Sequence, residues 1–236
     1  MNHKDDNPNK PPLEGVLVID KPAGVNSTAV VGRIKRLLPR RTKVGHAGTL
    51  DRFATGVLLV MVGRATKLCE PLMNSGKAYE ATIRLGATTD SLDPDTPERA
   101  VMGPTPTREK IERALPRFIG IIEQAPPTFS AVKIAGRRAS DRIRAGESVA
   151  PQSRPVRVDA IDVLDYDWPT LRIAVRCGRG TYIRALARDL GKALGSAGYL
   201  VQLRRTRVGE FDQSMSIDPE LLTPLNVEQH LRQVVP

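Results

Sequence analysis

A chain of 236 residues is long enough for one sizeable core with a small appendage, but not for three domains of ordinary size. Its 40% hydrophobic and 26% charged residues exclude wholesale disorder, and 36 Lys+Arg against 26 Asp+Glu, a net +10, favour a polyanionic partner. Aromatics at 4% exclude a broad base-stacking platform, and two distant cysteines, Cys69 and Cys177, exclude a disulfide scaffold and fit a reducing cytosol.

Residues 1–13, rich in Asn, Asp, Lys and Pro, read as a disordered tail with no apolar signal core. Val16–Ile19 is an apolar run ending in a turn at residues 20–24, a buried strand. Asn26 or Ser27 caps a helix carrying Val30, Val31, Ile34, Leu37 and Leu38 on one face, stopped by Pro39. A basic exit and a glycine-punctuated loop follow, then a strand at 57–62 and a short helix about 65–73. The 57–62 run is the longest apolar stretch and is far too short to span a bilayer, so a cytoplasmic protein without membrane attachment is expected.

Residues 77–85 alternate: Tyr79, Ala81, Ile83 and Leu85 face one way, Glu80, Thr82 and Arg84 the other, as in a half-buried antiparallel strand. Residues 86–106 form a Pro/Asp/Thr-rich loop, the best candidate for a mobile or inserted segment. Thr107 caps a helix to about Leu115. A short strand at 130–134 and a basic helix at 137–145 come next, then strands at 156–164 and 171–177. An amphipathic helix spans 181–194 through Ile183, Leu186, Leu190 and Leu194. A strand covers 199–208, and Asp218-Pro219 opens a final helical region. Strands and helices mix without regular βαβ alternation, which indicates an α+β fold.

Several chemistries lack their residues. His3, His46 and His230 are scattered and no Cys pair exists, so no zinc site is expected. Asp90, Asp93 and Asp95 lack the EF-hand pattern and read as a solvated acidic loop. Phosphate-loop, dinucleotide and hydrolase motifs are missing. Two segments remain. Gly45–Gly56 brackets Asp51, a carboxylate that reads either as a turn cap or as a nucleophile or base. Residues 176–184 read strand, glycine turn, helix start, with Arg179 and Arg184 near an anion-attracting N-terminus.

In order along the chain stand GVLVIDKPAG (15–24), KVGHAGTLD (43–51) with ATGVL (54–58), KAY (77–79) and RCGRGTYIRALA (176–187), together with PTFSAVK (127–133) and LRRTRV (203–208). These strongly resemble the bacterial tRNA pseudouridine synthase B (TruB) family over roughly residues 14–210. The resemblance implies a pseudouridine synthase fold, a mixed, largely antiparallel sheet flanked by helices around a central basic cleft. It implies isomerisation of the T-loop uridine, position 55 of tRNA, without a cofactor or metal. Asp51 matches the catalytic aspartate, Tyr79 the tyrosine packing on the target base, and Arg184 the arginine pairing with the aspartate, with Tyr182 beside it. Lys21 matches a lysine supporting the active-site loop, and His46 a histidine contacting the opened T-loop. Lys43, Thr49, Arg137, Arg204 and Arg205 are further RNA-binding candidates, the arginines and lysine as phosphate contacts that position rather than read the RNA. The T-arm of tRNA is the expected partner, with no obligatory protein partner.

The family usually follows its aspartate with Pro-Leu, whereas Arg52-Phe53 stands here. Residues 136–142 lack an aromatic that members often carry near Ser140, within an RNA-binding insertion expected at about 86–150. One catalytic domain is expected over 14–236, with no room after about residue 214 for a C-terminal PUA-type domain. Two alternatives remain open: a guide-RNA-dependent synthase subunit, or an RNA-binding or folding module that has lost catalysis.

Overall fold

The computed structural model describes residues 13–130, 133–134, 137–138, 142, 143, 145, 147 and 151–233; the expected N-terminal tail lies almost wholly outside the described residues. In chain order the strands are β1 (Gly15–Lys21), β2 (Val44–His46), β3 (Thr55–Val62), β4 (Lys77–Leu85), β5 (Ala87–Thr88), β6 (Arg99–Ala100) and β7 (Gly120–Gln124). They continue with β8 (Lys133–Ile134), β9 (Arg137–Arg138), β10 (Arg154–Asp167), β11 (Thr170–Cys177), β12 (Gly198–Val208) and β13 (Phe211–Asp212). The α-helices are α1 (Ser27–Leu37), α2 (Cys69–Asn74), α3 (Arg108–Ala114) and α4 (Ile183–Ala193). The chain divides into two compact units, residues 1–77 with 204–236, and residues 78–203.

In the first unit, β1 lies antiparallel to β3 from Gly15↔Val62 to Lys21↔Gly56. The other edge of β3 is shared: β2 pairs with its end (His46↔Val60), while β12 runs parallel to its start (Arg205↔Gly56). Val16–Ile19 and Val57–Val62 are buried on both faces, which is why they read as unbroken apolar runs rather than as alternation. Val16, Val18, Val57, Leu59 and Met61 form one core with Ala47, Leu72, Val208 and Phe211.

The second unit contains the start of β12 followed by β4, β11, β10 and β7 in hydrogen-bonded order. β4 alternates as its sequence indicates, with Tyr79, Ala81, Ile83 and Leu85 buried. In α4 the residues Ile183, Leu186 and Leu190 are buried. The Thr107 cap on α3 is present, its side chain accepting from the Lys110 N–H. The α+β class is therefore observed, with a mixed and largely antiparallel sheet.

Four local expectations differ. Arg137–Arg138 is a strand paired with Lys133–Ile134, not the start of a basic helix, and only residues 142 and 143 of 137–145 are helical among those described. The region after Asp218-Pro219 forms short 3₁₀ turns (Pro219–Leu221 and Val227–His230) rather than an α-helix; Asp218 does cap the first, accepting from Glu220 N–H at 2.8 Å. The 86–106 segment is tied down by the β5–β6 pair and by Thr89 Oγ1 donating to the Asp93 carbonyl at 2.8 Å. Free cysteines of this kind read as buried small hydrophobes; Cys177 is buried, whereas Cys69 is only half-buried.

Candidate active site

The first unit builds a loop around Asp51 from both sides. The Leu50 N–H donates to Ser27 Oγ at 3.0 Å, and that hydroxyl donates back to the Leu50 carbonyl at 3.1 Å. Ser27 and Leu50 are both buried, so this double tether holds the residue before Asp51 to the start of α1 in a water-free setting. On the other side, the Arg52 carbonyl accepts from Gly24 N–H at 2.8 Å and from Lys21 Nζ at 3.3 Å. Asp51 itself is half-buried between these two anchors.

Lys21 is fully buried, and its ammonium also donates to the Pro22 and Val25 carbonyls at 2.8 and 2.7 Å. Three acceptors match the three N–H bonds of a protonated lysine. Burial pulls its pKa down to about 8; attraction to Asp51 works against that pull and the Arg205 guanidinium adds to it. Lys21 is thus a cation at neutral pH beside the Asp51 carboxylate, while holding its loop.

Arg205 was expected on the RNA surface. It is 1% exposed instead, with Nε donating to the Val57 carbonyl at 2.7 Å and Nη2 to the Gly48 carbonyl at 3.1 Å. The cause is backbone proximity. Gly56 has φ +100°, and a Cβ there would lie 2.2 Å from the Arg205 carbonyl oxygen, so only glycine lets β3 and β12 run this close. The close pairing carries the Arg205 side chain inward beneath the loop. Arg204, also expected on RNA, forms a bidentate pair with Asp20 at 3.0 and 2.9 Å and donates to Gln213 Oε1. Lys43 and Thr49 are exposed. His46 is half-buried on β2. Burial first, and Arg205 second, hold its pKa below the usual value, and its Nδ1 is buried with no hydrogen-bond partner among the described residues. The ring is therefore neutral at pH 7.

The second unit holds the other expected residues. Tyr79 is on the buried face of β4. Tyr182 precedes α4, where Gln124 grips its backbone twice, accepting from its N–H at 2.8 Å and donating to its carbonyl at 3.2 Å. The Arg154 guanidinium sits 5.4 Å from the Tyr182 ring centroid. Arg137 lies on β9. Arg184 is buried and forms an ion pair with Asp93 at 2.9 Å; its guanidinium also donates to the Ser91 and Phe129 carbonyls. Asp93, read from sequence as part of a solvated loop, is 4% exposed, although its neighbours Asp90 and Asp95 are in water. Sequence reasoning missed Ser27, Asp93 and Gln124. Ser27 signalled only a helix cap, and Asp93 and Gln124 gave no local signal.

The fold places this chain among the pseudouridine synthases. It superposes with a TM-score of 0.67 and 34% identity on a chain of a Cbf5-Nop10-Gar1 complex, covering 86% of this chain and 52% of that one. A chain of an H/ACA RNP bound to a substrate RNA containing 2'-deoxyuridine gives a TM-score of 0.64 at 29% identity, covering 92% and 59%. The protein thus spans little more than half the length of those solved chains.

The sequence narrows the class. Residues 35–183 match the TruB family pseudouridylate synthase N-terminal domain, and residues 184–235 match the tRNA pseudouridylate synthase B C-terminal domain. Proteins named tRNA pseudouridine synthase B from Parabacteroides distasonis and Phocaeicola vulgatus are each 45% identical, over 87% and 92% of this chain and 90% and 97% of their own lengths. The Mycobacterium tuberculosis protein of that name is 47% identical over 86% of this chain and 70% of its own. The chain belongs to the TruB family of pseudouridylate synthases.

Proposed function

We propose that this protein is a stand-alone tRNA pseudouridine synthase that isomerises the T-loop uridine, position 55, with Asp51 as its nucleophile. The observation that carries the reading is Asp51 itself, a carboxylate anchored through both neighbouring residues and set beside the buried Lys21 ammonium. Family membership supplies the reaction class. The relatives at 45–47% identity bear the tRNA enzyme's name, while the chains from the Cbf5-Nop10-Gar1 and H/ACA RNP complexes stand at 29–34%, which favours the stand-alone tRNA enzyme.

The target base must leave the stack, at a cost of a few kcal/mol that is smaller in a loop than in a duplex. The Asp51 carboxylate attacks the nucleotide, at the sugar C1′ or the base C6, or assists loss of the base; a bond that it forms breaks again before release, which returns the free carboxylate. The C1′–N1 bond breaks, the uracil turns, and C1′ bonds to C5; C5 loses its proton and N1 gains one, so no atoms are exchanged overall. Tyr79 supplies the wall for the base. Arg184 is the candidate cation of the second unit, with Asp93 fixing its guanidinium in place. Lys43, His46 and Thr49 meet the RNA from the first unit, and Tyr182 and Arg137 from the second. Arg204 and Arg205 act at one remove, through Asp20 and through the loop carbonyls.

The test is tritium release from an unmodified tRNA transcript carrying 5-³H-uridine, without guide RNA, for wild type and Asp51→Asn. Release by wild type alone, mapped to position 55, supports the reading. No release from either, with tRNA binding intact, overturns it in favour of a guide-dependent or binding-only protein.

A further inference from the structure

The geometry points to a second binding site in the first unit: a cavity that takes one nucleoside monophosphate, free or as a unit of an RNA chain. It lies between the end of α1, β2 and the 63–68 turn, and has a volume of about 480 Å³. That is within the range of small-ligand pockets and far larger than a lone phosphate fills.

Charge sets the first half of the ligand. Lys35, Arg41 and Lys43 line the cavity and are exposed, so they stand at its mouth, and among the described residues no acidic side chain lines it. Three cations without a counter-charge select an anion. Arg41 is held at φ 70°, an uncommon conformation for a non-glycine residue. It is one of only two such residues described, and it lies at this mouth.

The inner wall sets the second half. Met61 is buried, and Val44 and Cys69 are half-buried, an apolar surface suited to a flat ring rather than to a bare anion. Thr42 Oγ1 donates to the Pro39 carbonyl and Thr66 Oγ1 to the Gly63 carbonyl, each at 2.8 Å. Their protons are committed to backbone carbonyls, which leaves the lone pairs of both oxygens for the N–H groups of a base. His46 completes the lining, with its Nδ1 buried.

Gly45 shows that the space is kept open. It has an ordinary φ, and a Cβ there would meet only Met61 Cε, at 3.8 Å, a normal contact. Neither backbone strain nor packing calls for glycine at this position in β2. A larger side chain would project beside Met61, into the cavity.

Cys69 gives the experiment, because it lines the cavity and Cys177, the other cysteine, is 1% exposed and serves as an internal control. The rate of iodoacetamide labelling at Cys69 is followed by peptide mass spectrometry on the whole protein, with UMP, uridine, inorganic phosphate or a short single-stranded RNA. At a ligand concentration about ten times Kd, labelling should slow about tenfold. Protection by UMP at concentrations where uridine and phosphate fail supports the site with a free nucleotide as ligand. Protection by the RNA alone supports it with RNA as the source, provided that Gly45→Val abolishes the effect. Arg41→Ala, which leaves the strand untouched, must weaken it as well. Equal protection by phosphate and UMP reduces the site to an anion site and overturns the proposal. Protection by nothing, or protection that survives Gly45→Val in a folded protein, also overturns it. The UMP arm does not rest on the isomerase reading, so the two can fail separately.

Discussion

Replacing Ser27 by Ala removes one oxygen atom from the structure and both of its bonds to Leu50. The Leu50 N–H and C=O are then left without that partner in a place water does not reach, since Ser27 is 2% and Leu50 3% exposed. Each stranded group costs about 1–3 kcal/mol, so the pair should cost about 2–4 kcal/mol after partial relaxation. At about 2–4 °C per kcal/mol for a chain of this size, Tm should fall by roughly 5–15 °C. The catalytic consequence is separate. Leu50 precedes Asp51, and a misplacement of about 1 Å at a reacting group costs on the order of a hundredfold. Well below the variant's Tm, kcat for tritium release should therefore drop between about tenfold and a hundredfold, with a smaller change in KM. Thr28→Ala, at the exposed neighbouring position, is the control and should change neither quantity. A Ser27→Ala protein with wild-type Tm refutes the buried-tether argument. One that melts early yet turns over at the wild-type rate at low temperature refutes the claim that the tether positions Asp51.

Other outcomes follow from the buried charges. Asp93→Ala strands the Arg184 guanidinium and should cost about 3–5 kcal/mol in urea unfolding, whereas Asp90→Ala, at an exposed position, should have a far smaller effect; equal effects would contradict the assigned burial. Lys21, with its pKa lowered from 10.5 to about 8, binds fewer protons folded than unfolded between those values. Stability should therefore rise with pH across that window, and the rise should be missing in Lys21→Met; identical pH slopes in the two proteins would sink the assignment. Catalysis should move the opposite way, falling as pH passes about 8, because the loop then loses one of the three Lys21 N–H bonds and the charge beside Asp51. Arg205→Met removes a cation that depresses the His46 pKa, so an NMR titration of the imidazole should shift upward; an unchanged titration would show that burial alone sets it.

The relation between sequence and structure is clearest in particular elements. β4 was legible because its alternation is a period-two pattern within nine residues, and α4 because its apolar spacing repeats at the helical period. The Thr107 and Asp218 caps were legible because donor and acceptor lie within three residues. Residues 137–138 were misread because a run of arginines suits a helix surface and a short hairpin equally well. The candidate residues split the same way. Asp51, Tyr79 and Arg184 were named from motifs, but nothing near Asp93 announced an arginine 91 residues later, and nothing near Ser27 announced Leu50.

By itself, then, the sequence determined most of the elements, the family, and which residue types stand in the Asp51 loop, because periodicity, capping and motif order are properties of neighbouring residues. The tertiary structure alone decided which charges left the water. Arg204 and Arg205 are adjacent and chemically identical, yet one pairs with Asp20 at half exposure and the other is buried against Val57 and Gly48. A buried cation is stable only where acceptors surround it, and here those acceptors come from segments nearly 150 residues or more away in the chain. No local pattern records that, because it exists only once β12 has paired with β3.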